Sequence, residues 1–547
     1  MESDQIPVNI DAIKSIDHLG IVAGTFDKLG LAQIIDRALP KVGQHRISNS
    51  QLLLALLLNG LGFTERRLYM FPDYCQNLDI ERLIGPNITA ENINESVIGR
   101  LLDQIHAYGP TKLFTDLVTQ MFTVYTEVVH LGHVDTTNFS VHGEYENNSG
   151  DGCIKITKGH PKDKRWDLKR FVLSLVVNQH GIPIFARAHD GNESDKETLV
   201  QTILSLKESF TFDPDVIFMG DSALYTEKTV QTLGEQTKWI SCVPATIKEM
   251  TTLLKSDLSF IPTSDPRYSC CPVDSSYGDI IQKWVVVSSE DMKVREEKTF
   301  DKKLPNRFKS ALRELKQIKS VLFECEADAK SALFRFLAET PLVSLVDYKV
   351  EIVEKRANGK RGRSKKGEAM ITKYRVGAVI QLNNDIVQFE RGCLGRFVLA
   401  TNVLTLDPET ILNHYKGQLL VEKGFRFLKD KSFRVAEVYL KSEKRIEALC
   451  MVMVLCLMIY SYTEWLMRTR LKEENETVLD QKRKPTSKPT MKWIYFKFRE
   501  INSCFLYFND QLLVSVHRLS DELRKILKLL GPDYEKFYSY SIVQYFL

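Results

Sequence analysis

One predicted helix, over residues 414–429, carries a stripe of polar side chains whose types suit phosphate and metal chemistry. At about 100° of rotation per residue, the stripe's four members lie within about 60° of one another: Tyr415, Gln418, Glu422 and Lys429. A carboxylate set between a phenol, an amide and an ammonium group could hold a metal ion beside a phosphate. Any amphipathic helix also presents Glu and Lys to solvent, so this segment alone does not distinguish a site from a solvated face.

Two aspartates stand where the sequence predicts strand ends. Residues 128–139 are rich in β-branched side chains and contain Asp135, and a short apolar run over residues 216–220 is followed by Asp221. An acid at the carboxyl end of a buried strand lies where α/β sheets place their ligands. Together with Glu422, the two aspartates make a candidate set of three carboxylates.

The spacing of the helix stripe resembles a known signature. Tyr415-x2-Gln418-x3-Glu422-x6-Lys429 is similar to the Y-(2)-R-(3)-E-(6)-K motif of bacterial insertion-sequence transposases of the DDE type, in the insertion-sequence-four superfamily. Further segments resemble the branch of that superfamily labelled sixteen-thirty-four: residues 159–170, 181–184, 190–195 and 221–225. The resemblance extends over about residues 26–534.

This resemblance implies an α/β fold with a ribonuclease H-like core in which Asp135, Asp221 and Glu422 are the catalytic triad. It implies metal-dependent cleavage at terminal inverted repeats and strand transfer into target DNA, performed by a homodimer on paired ends. In-line displacement at phosphorus is served by two Mg²⁺ ions, for which Mn²⁺ is expected to substitute. Such hard ions take carboxylate oxygens, so the three acids are also the expected metal ligands. His133, on the same strand face as Asp135, is expected to pack or hydrogen-bond nearby instead.

By the same resemblance, Tyr415 and Lys429 contact phosphates of the transposon end beside the scissile bond. The signature's arginine is Gln418 in this chain, and an amide offers neither a charge nor a bidentate fork. If this side chain faces a phosphate, Gln418→Arg is expected to tighten binding of the ends, because an arginine would form a charge-assisted pair.

Two basic segments are further candidates for DNA contact. The loop over residues 355–366 has seven cations in twelve positions. The predicted contacts in this loop are Lys360, Arg361 and Arg363. A second basic segment, residues 158–170, leads into a predicted strand, and its predicted contacts are Lys164, Arg165 and Lys169. In both segments phosphate contact is favoured over a solvated loop, because clustered cations release counterions from DNA.

The composition is that of an ordinary globular protein of 547 residues, 44% hydrophobic and 26% charged. Its ten cysteines include no CxxC pair or zinc spacing, which predicts reduced thiols. The first residues show no signal pattern, and the longest apolar run, over residues 448–460, is too short to span a bilayer. We therefore expect a cytoplasmic prokaryotic protein without a membrane partner, which associates with the nucleoid when bound to DNA.

The net charge of +4 conceals an asymmetry along the chain. Residues 1–125 have ten Lys and Arg against fourteen Asp and Glu, whereas the remainder has 64 against 56. A DNA-binding surface is therefore expected in the middle and C-terminal parts. Residues 1–125 are predicted to form a helical domain that either helps to recognise the element's ends or supports the core.

Four further regions follow the helical domain. Residues 126–244 are predicted to form the first part of the ribonuclease H-like core, with both aspartates, and residues 245–391 a β-rich insertion with the basic loop. Residues 392–470 complete the core with the Glu422 helix. Residues 471–547 are predicted to be a polar linker and a helical C-terminal region whose last helix covers residues 512–530.

Two other functions stay open. A catalytically decayed, transposase-derived protein would bind DNA without cutting it, but the presence of all three acids favours activity. A stand-alone ribonuclease H-like nuclease is disfavoured by the long insertion and the helical N-terminal domain. A strand-cleavage assay on the inverted repeats with Mg²⁺ separates all three functions.

Overall fold

The computed structural model describes residues 9–43, 46–62, 71–145, 152–159, 165–211, 213–356, 370–430, 442–508 and 511–543. The strands are β1 (Asn9–Ser15), β2 (Leu131–Val141), β3 (Lys169–Asn178), β4 (Pro183–His189), β5 (Ile217–Gly220), β6 (Lys238–Cys242), β7 (Ile261–Pro262), β8 (Tyr268–Tyr277), β9 (Ile280–Ser289), β10 (Val343–Arg356), β11 (Met370–Leu382), β12 (Arg396–Thr401), β13 (Val478–Leu479), β14 (Pro485–Thr486), β15 (Asn502–Phe508), β16 (Gln511–His517) and β17 (Ser541–Val543).

The helices are α1 (Leu19–Lys28), α2 (Leu31–Ala38), α3 (Asn49–Leu61), α4 (Phe71–Gln76), α5 (Ile80–Leu83), α6 (Glu95–Tyr108), α7 (Pro110–Val124), α8 (Asp195–Ser209), α9 (Glu227–Leu233), α10 (Lys248–Leu254), α11 (Glu290–Ser320), α12 (Glu326–Glu339), α13 (Asn384–Gly392), α14 (Pro408–Lys416), α15 (Leu419–Leu428), α16 (Glu443–Glu473), α17 (Met491–Lys497), α18 (Asp521–Leu530) and α19 (Pro532–Glu535).

The fold is a mixed α/β structure built on a nine-stranded sheet, in the order β4-β3-β2-β5-β6-β12-β9-β8-β7. β2, β5 and β6 run parallel to one another, and the other neighbours are antiparallel. β3 is buried along almost its whole length, and its nearly continuous apolar run suits a strand covered on both faces. The crossovers that parallel neighbours require contain α8 and α9.

Alternate residues of the central strands enter different cores. Ile217 and Met219 of β5 pack with Ile411 and Leu412 of α14. Phe218, which points to the opposite face, belongs to a larger core that includes α16 and the N-terminal helices. The sheet is therefore packed on both faces, and α14 lies on the face that carries Met219.

Among the described residues, α16 is the one helix long and apolar enough to cross a membrane. In this structure 78% of its most apolar 18-residue window is buried inside the protein. The helix has 31 residues and is longer than the predicted run over residues 448–460, because Thr463, Trp465 and Leu466 continue its buried surface. Packing against α3, α6 and β4 makes it a central core helix.

The region between β6 and β12 differs from the predicted β-rich insertion. β9 pairs with both β8 and β12, so these strands extend the main sheet instead of forming a separate module. The separate unit consists of the β10–β11 hairpin and two helices, α11 and α12, around Leu315, Leu333 and Val376. Helices cover the hairpin because one apolar face of a two-stranded sheet must be buried against a second layer.

A second, four-stranded sheet has the order β1-β15-β16-β17. β1 pairs antiparallel with β15, so residues 1–125 contain a strand as well as helices. Residues 511–517 form β16 where the sequence predicted the start of the helix over residues 512–530, and α18 begins only at Asp521. The β-branched residues Val514 and Val516 suit a strand. Pairing with β15 overrides the helix-like spacing of Leu512 and Val516.

The predicted linker over residues 471–490 is also different. α16 extends to Glu473, and β13 and β14 pair as a short hairpin. The Trp493 indole donates a 2.7 Å hydrogen bond to the Leu479 carbonyl, and Arg468 donates to the Pro489 carbonyl at 3.0 Å. Residues 471–490 are therefore an ordered segment with polar side chains, held in place by hydrogen bonds to its backbone carbonyls.

Candidate active site

The two aspartates predicted as catalytic belong to neighbouring parallel strands, Asp135 within β2 and Asp221 directly after β5. β2 and β5 pair with His133 opposite Met219. Continuing this register by two residues places Asp135 opposite Asp221, and adjacent strands are about 4.8 Å apart. Both carboxylates are partly exposed. β5 ends at Gly220, so Asp221 follows a strand end as expected, whereas Asp135 lies inside β2 at the same level.

Backbone amides orient both carboxylates. The Thr136 amide donates to Asp135 Oδ1 at 2.7 Å, and the Ala223 amide donates to Asp221 Oδ1 at 2.9 Å. The second contact is an Asx turn, in which an aspartate side chain bonds the backbone two residues on. A carboxylate that accepts a backbone N–H is held in one orientation.

The helix predicted over residues 414–429 is divided in two. α14 ends at Lys416 and α15 begins at Leu419, with Gly417 and Gln418 between them. At the junction the Gln418 amide donates to the Tyr415 carbonyl at 2.9 Å, a tight i to i−3 contact. The stripe of polar side chains therefore spans two helices.

α15 is fixed to β2 at both of its ends. The Gln418 side-chain amide donates to the Val134 carbonyl at 2.8 Å, and the Lys429 ammonium donates to Thr137 Oγ1 at 2.5 Å. Since Glu422 lies one turn after Gln418, these two anchors set it beside the part of β2 that carries Asp135. The Glu422 side chain is exposed.

Tyr415 lies within electrostatic range of both Asp221 and Glu422. Burial raises the pKa of its phenol, and the neighbouring Cys242 thiol and the Asp221 and Glu422 carboxylates raise it further. The Tyr415 side chain packs with the core under α14, and its ring lies 6.5 Å from that of Phe397. The phenol therefore stays protonated and lies within electrostatic range of two of the three acids.

Close contact between Gly417 and His133 is a feature that the sequence analysis missed. A Cβ atom on Gly417 would lie 2.4 Å from His133 Cε1, so only glycine permits this approach of helix and strand. The His133 ring is almost fully buried, and this burial lowers its pKa to about 4, so it packs as a neutral ring. A glycine inside a helical pattern was the available signal.

Metal binding stays a prediction. Within the described part of the chain, no three His, Cys, Asp or Glu side chains are grouped closely enough to hold a metal ion. The chemistry of the three acids suits Mg²⁺, because it prefers carboxylate oxygens. Asp135 and Asp221 are placed together by their strand register, and Glu422 is on the helix fixed beside them.

The predicted DNA contacts in the basic segments are only partly described. Lys164, Lys360, Arg361 and Arg363 lie outside the described residues. Arg165 is exposed and pairs with Asp167 at 2.7 Å, and the Lys169 ammonium donates to the Tyr145 carbonyl. Both charges thus have protein partners, which reduces what they can offer to phosphates.

Gln418 is buried, and its bond to Val134 suggests a positioning role in place of the phosphate contact inferred from the signature. We now expect Gln418→Arg to destabilise the protein by roughly 1–3 kcal/mol, because a guanidinium would be buried where an amide fits. The salt dependence of end binding should stay unchanged. Thermal unfolding and binding titrations at several salt concentrations measure both quantities.

A matched control for this variant is Gln381→Arg, which adds the same charge at an exposed position of β11. It should preserve stability. The opposite result would be a Gln418→Arg protein that is as stable as the parent and whose end binding has a salt slope steeper by about 0.9. It would show that residue 418 faces a phosphate, as the signature implies.

Comparison with known proteins assigns this α/β protein to a family. Its candidate site has two aspartates at the ends of neighbouring strands. The family model described as "Transposase DDE domain" matches residues 131–459, more than half of the chain. The chain therefore belongs to the DDE transposase family. Residues 11–119 match a domain of unknown function (DUF4277).

Two other comparisons add little to this assignment. The comparison with curated proteins gave no match. Among solved structures, "Mos1 transposase paired-end complex with left transposon end" is similar at 10% sequence identity, with a TM-score of 0.14. The similarity covers 35% of this chain and 57% of the other, so the chain spans a little over half of that protein's length. The family assignment rests on the match over residues 131–459.

Proposed function

We propose that this protein is an active DNA transposase that cuts at terminal inverted repeats and joins the freed ends to target DNA. The observation that carries the proposal is the register of β2 and β5, which sets Asp135 opposite Asp221 within the matched transposase domain. Three acids, two from neighbouring strand regions and one from a helix, suit the binding of two divalent ions for phosphoryl transfer. In this proposal Asp135, Asp221 and Glu422 are the catalytic triad.

The core is proposed to be ribonuclease H-like. Its support is the strand order β4-β3-β2-β5-β6, in which an antiparallel hairpin precedes two parallel strands with helices between them. The finer placement in the insertion-sequence-four superfamily rests on the motif spacing, and the sixteen-thirty-four branch rests on the resemblance of residues 159–170, 181–184, 190–195 and 221–225. Cytoplasmic localisation and a role for residues 1–125 in end recognition are parts of the same proposal.

Each site residue has a defined task in this mechanism. Asp135, Asp221 and Glu422 would hold two Mg²⁺ ions, or Mn²⁺ in their place, which when bound stabilise the attacking and leaving oxygens. Backbone bonds to Asp135 and Asp221 keep these carboxylates oriented before substrate binds. Lys429, bonded to Thr137, fixes the far end of the Glu422 helix and places a cation near the site.

DNA is the proposed partner, both as paired transposon ends and as target. A homodimer on the two ends would supply one active site to each end. Tyr415 is within electrostatic range of Asp221 and Glu422, so a phosphate bound to metal ions on these acids would lie near its phenol. The raised pKa keeps this phenol protonated, and it could donate a hydrogen bond to the phosphate.

A cleavage assay tests the function. The full chain is incubated with a duplex that ends in the inverted repeats flanking its coding region, with Mg²⁺, Mn²⁺ or EDTA. We expect strand cleavage at the repeat ends and joined products with Mg²⁺ or Mn²⁺, and neither with EDTA. Binding without cleavage would identify the decayed form. Cutting that ignores the repeats, or that prefers RNA–DNA hybrids, would identify a nuclease.

A further inference from the structure

The longest helix of the insertion presents cations along one side. α11 has 31 residues, of which only Ala311 and Leu315 are buried. At about 100° per residue, six of its exposed cations lie within about 60° of one another. These six, which we call the α11 stripe, are Arg295, Lys298, Lys302, Lys309, Arg313 and Lys316. None of them forms an ion pair with another described residue.

Two acids of the same helix contact residues outside it. Glu296 accepts a 2.7 Å hydrogen bond from the Gly395 amide, and Asp301 pairs with Arg391 at 2.8 Å. Asp291, in the first turn, is the acid that falls on the side of the stripe, and Arg267 approaches it at 3.5 Å. Two acids of the helix are thus engaged in contacts with the rest of the protein, whereas all six cations of the α11 stripe are exposed.

The stripe has the dimensions of a duplex contact. From Arg295 to Lys316 the helix rises about 32 Å, close to one turn of B-DNA at about 34 Å. Four of the six side chains are lysines, which act as point charges on phosphates. Lysine and arginine side chains spaced along this length can contact phosphate oxygens of a duplex.

We propose that the α11 stripe binds the phosphate backbone of the target duplex. The inference rests on the proposed function, since a transposase must hold a second duplex, the target, besides its own ends. α11 and α12 have a hydrophobic core with the β10–β11 hairpin that is separate from both cores of the main sheet. The stripe is therefore presented by a unit distinct from the one that carries the three acids.

The test compares two triple variants of the full chain. Lys302→Gln, Lys309→Gln and Lys316→Gln together remove three charges from the α11 stripe. The matched control removes three exposed charges elsewhere: Lys303→Gln, on another side of α11, with Lys472→Gln and Lys482→Gln. Affinity is measured for an unrelated duplex and for a repeat-end duplex at several salt concentrations, with thermal unfolding to show that both variants fold.

The stripe variant should bind the unrelated duplex at least about tenfold more weakly near 0.1 M salt, with a log–log salt slope smaller by up to about 2.7. Strand joining should fall with it, while cleavage at the repeat ends and the control variant stay near the parent values. An unchanged salt slope makes the stripe a solvated face and overturns the proposal. Weakening confined to the repeat-end duplex assigns the stripe to the transposon end and overturns it too.

Failure of the proposed function would be visible separately. If the parent protein never cuts the repeat ends, the transposase proposal is wrong, even if the α11 stripe binds duplex DNA. If the parent cuts and joins DNA but the two triple variants behave alike, the proposed function stands and only the inference about α11 is wrong.

Discussion

Asp135→Asn and Glu422→Gln should each lower strand cleavage by at least about a thousandfold, equivalent to roughly 4 kcal/mol of transition-state stabilisation. A neutral amide has nearly the shape of the carboxylate but binds divalent cations poorly. Binding of the repeat ends should persist, because phosphate contacts made elsewhere set the affinity. Cleavage and gel-shift assays on the same preparations measure both properties.

Glu235→Gln is the matched control for charge removal, since Glu235 is exposed on the loop after α9. It should cut at the parent rate. Loss of cleavage and binding together in the Asp135 and Glu422 variants, with a lowered unfolding temperature, would assign these acids to folding. Retention of cleavage would remove them from the triad.

Gly417→Ala is expected to lower cleavage by about a hundredfold, because a displacement of about 1 Å in a catalytic group is enough for that loss. The added Cβ would lie 2.4 Å from His133 Cε1 and 2.6 Å from its Nε2. His133 is buried on β2 and has little room to move, so α15 must shift and carry Glu422 with it. The strain should also cost about 1–3 kcal/mol of folding stability.

Gly392→Ala is the control, since a Cβ at Gly392 meets nothing within 4 Å. The double variant Gly417→Ala with His133→Ala tests the cause. If the clash is responsible, removing the ring should recover part of the stability and cleavage, so the two substitutions will not be additive. Strict additivity would show that Gly417 acts through something other than His133.

Local patterns predicted the parts of the site that depend on local structure. Asp221 follows an apolar run that forms β5, and the β-branched run over residues 128–139 forms β2 with Asp135. The pattern of residues 414–429 predicted a helix, and α15 lies within this range. These features depend on periodicity and strand propensity, which neighbouring residues determine.

Other features depend on partners that are distant in sequence. The close approach of Gly417 to His133, 284 positions earlier, is a contact that no local pattern contains. β16 has a helix-like spacing of Leu512 and Val516, and becomes a strand because β15 offers it a partner. β9 was predicted to lie in the insertion but belongs to the main sheet, because it pairs with β12, more than a hundred positions later.

Pairing between β1 and β15 has a consequence for synthesis of the chain. About 490 residues separate the two strands, and ribosomes add roughly 5–20 residues per second, so β1 waits about 25–100 s for its partner. α1 waits for longer, because Tyr534 and Tyr538 cover its Gly24 and Gly20. During this interval the nascent chain exposes an unpaired strand edge and an uncovered apolar helix, the surfaces on which chaperones and aggregation compete.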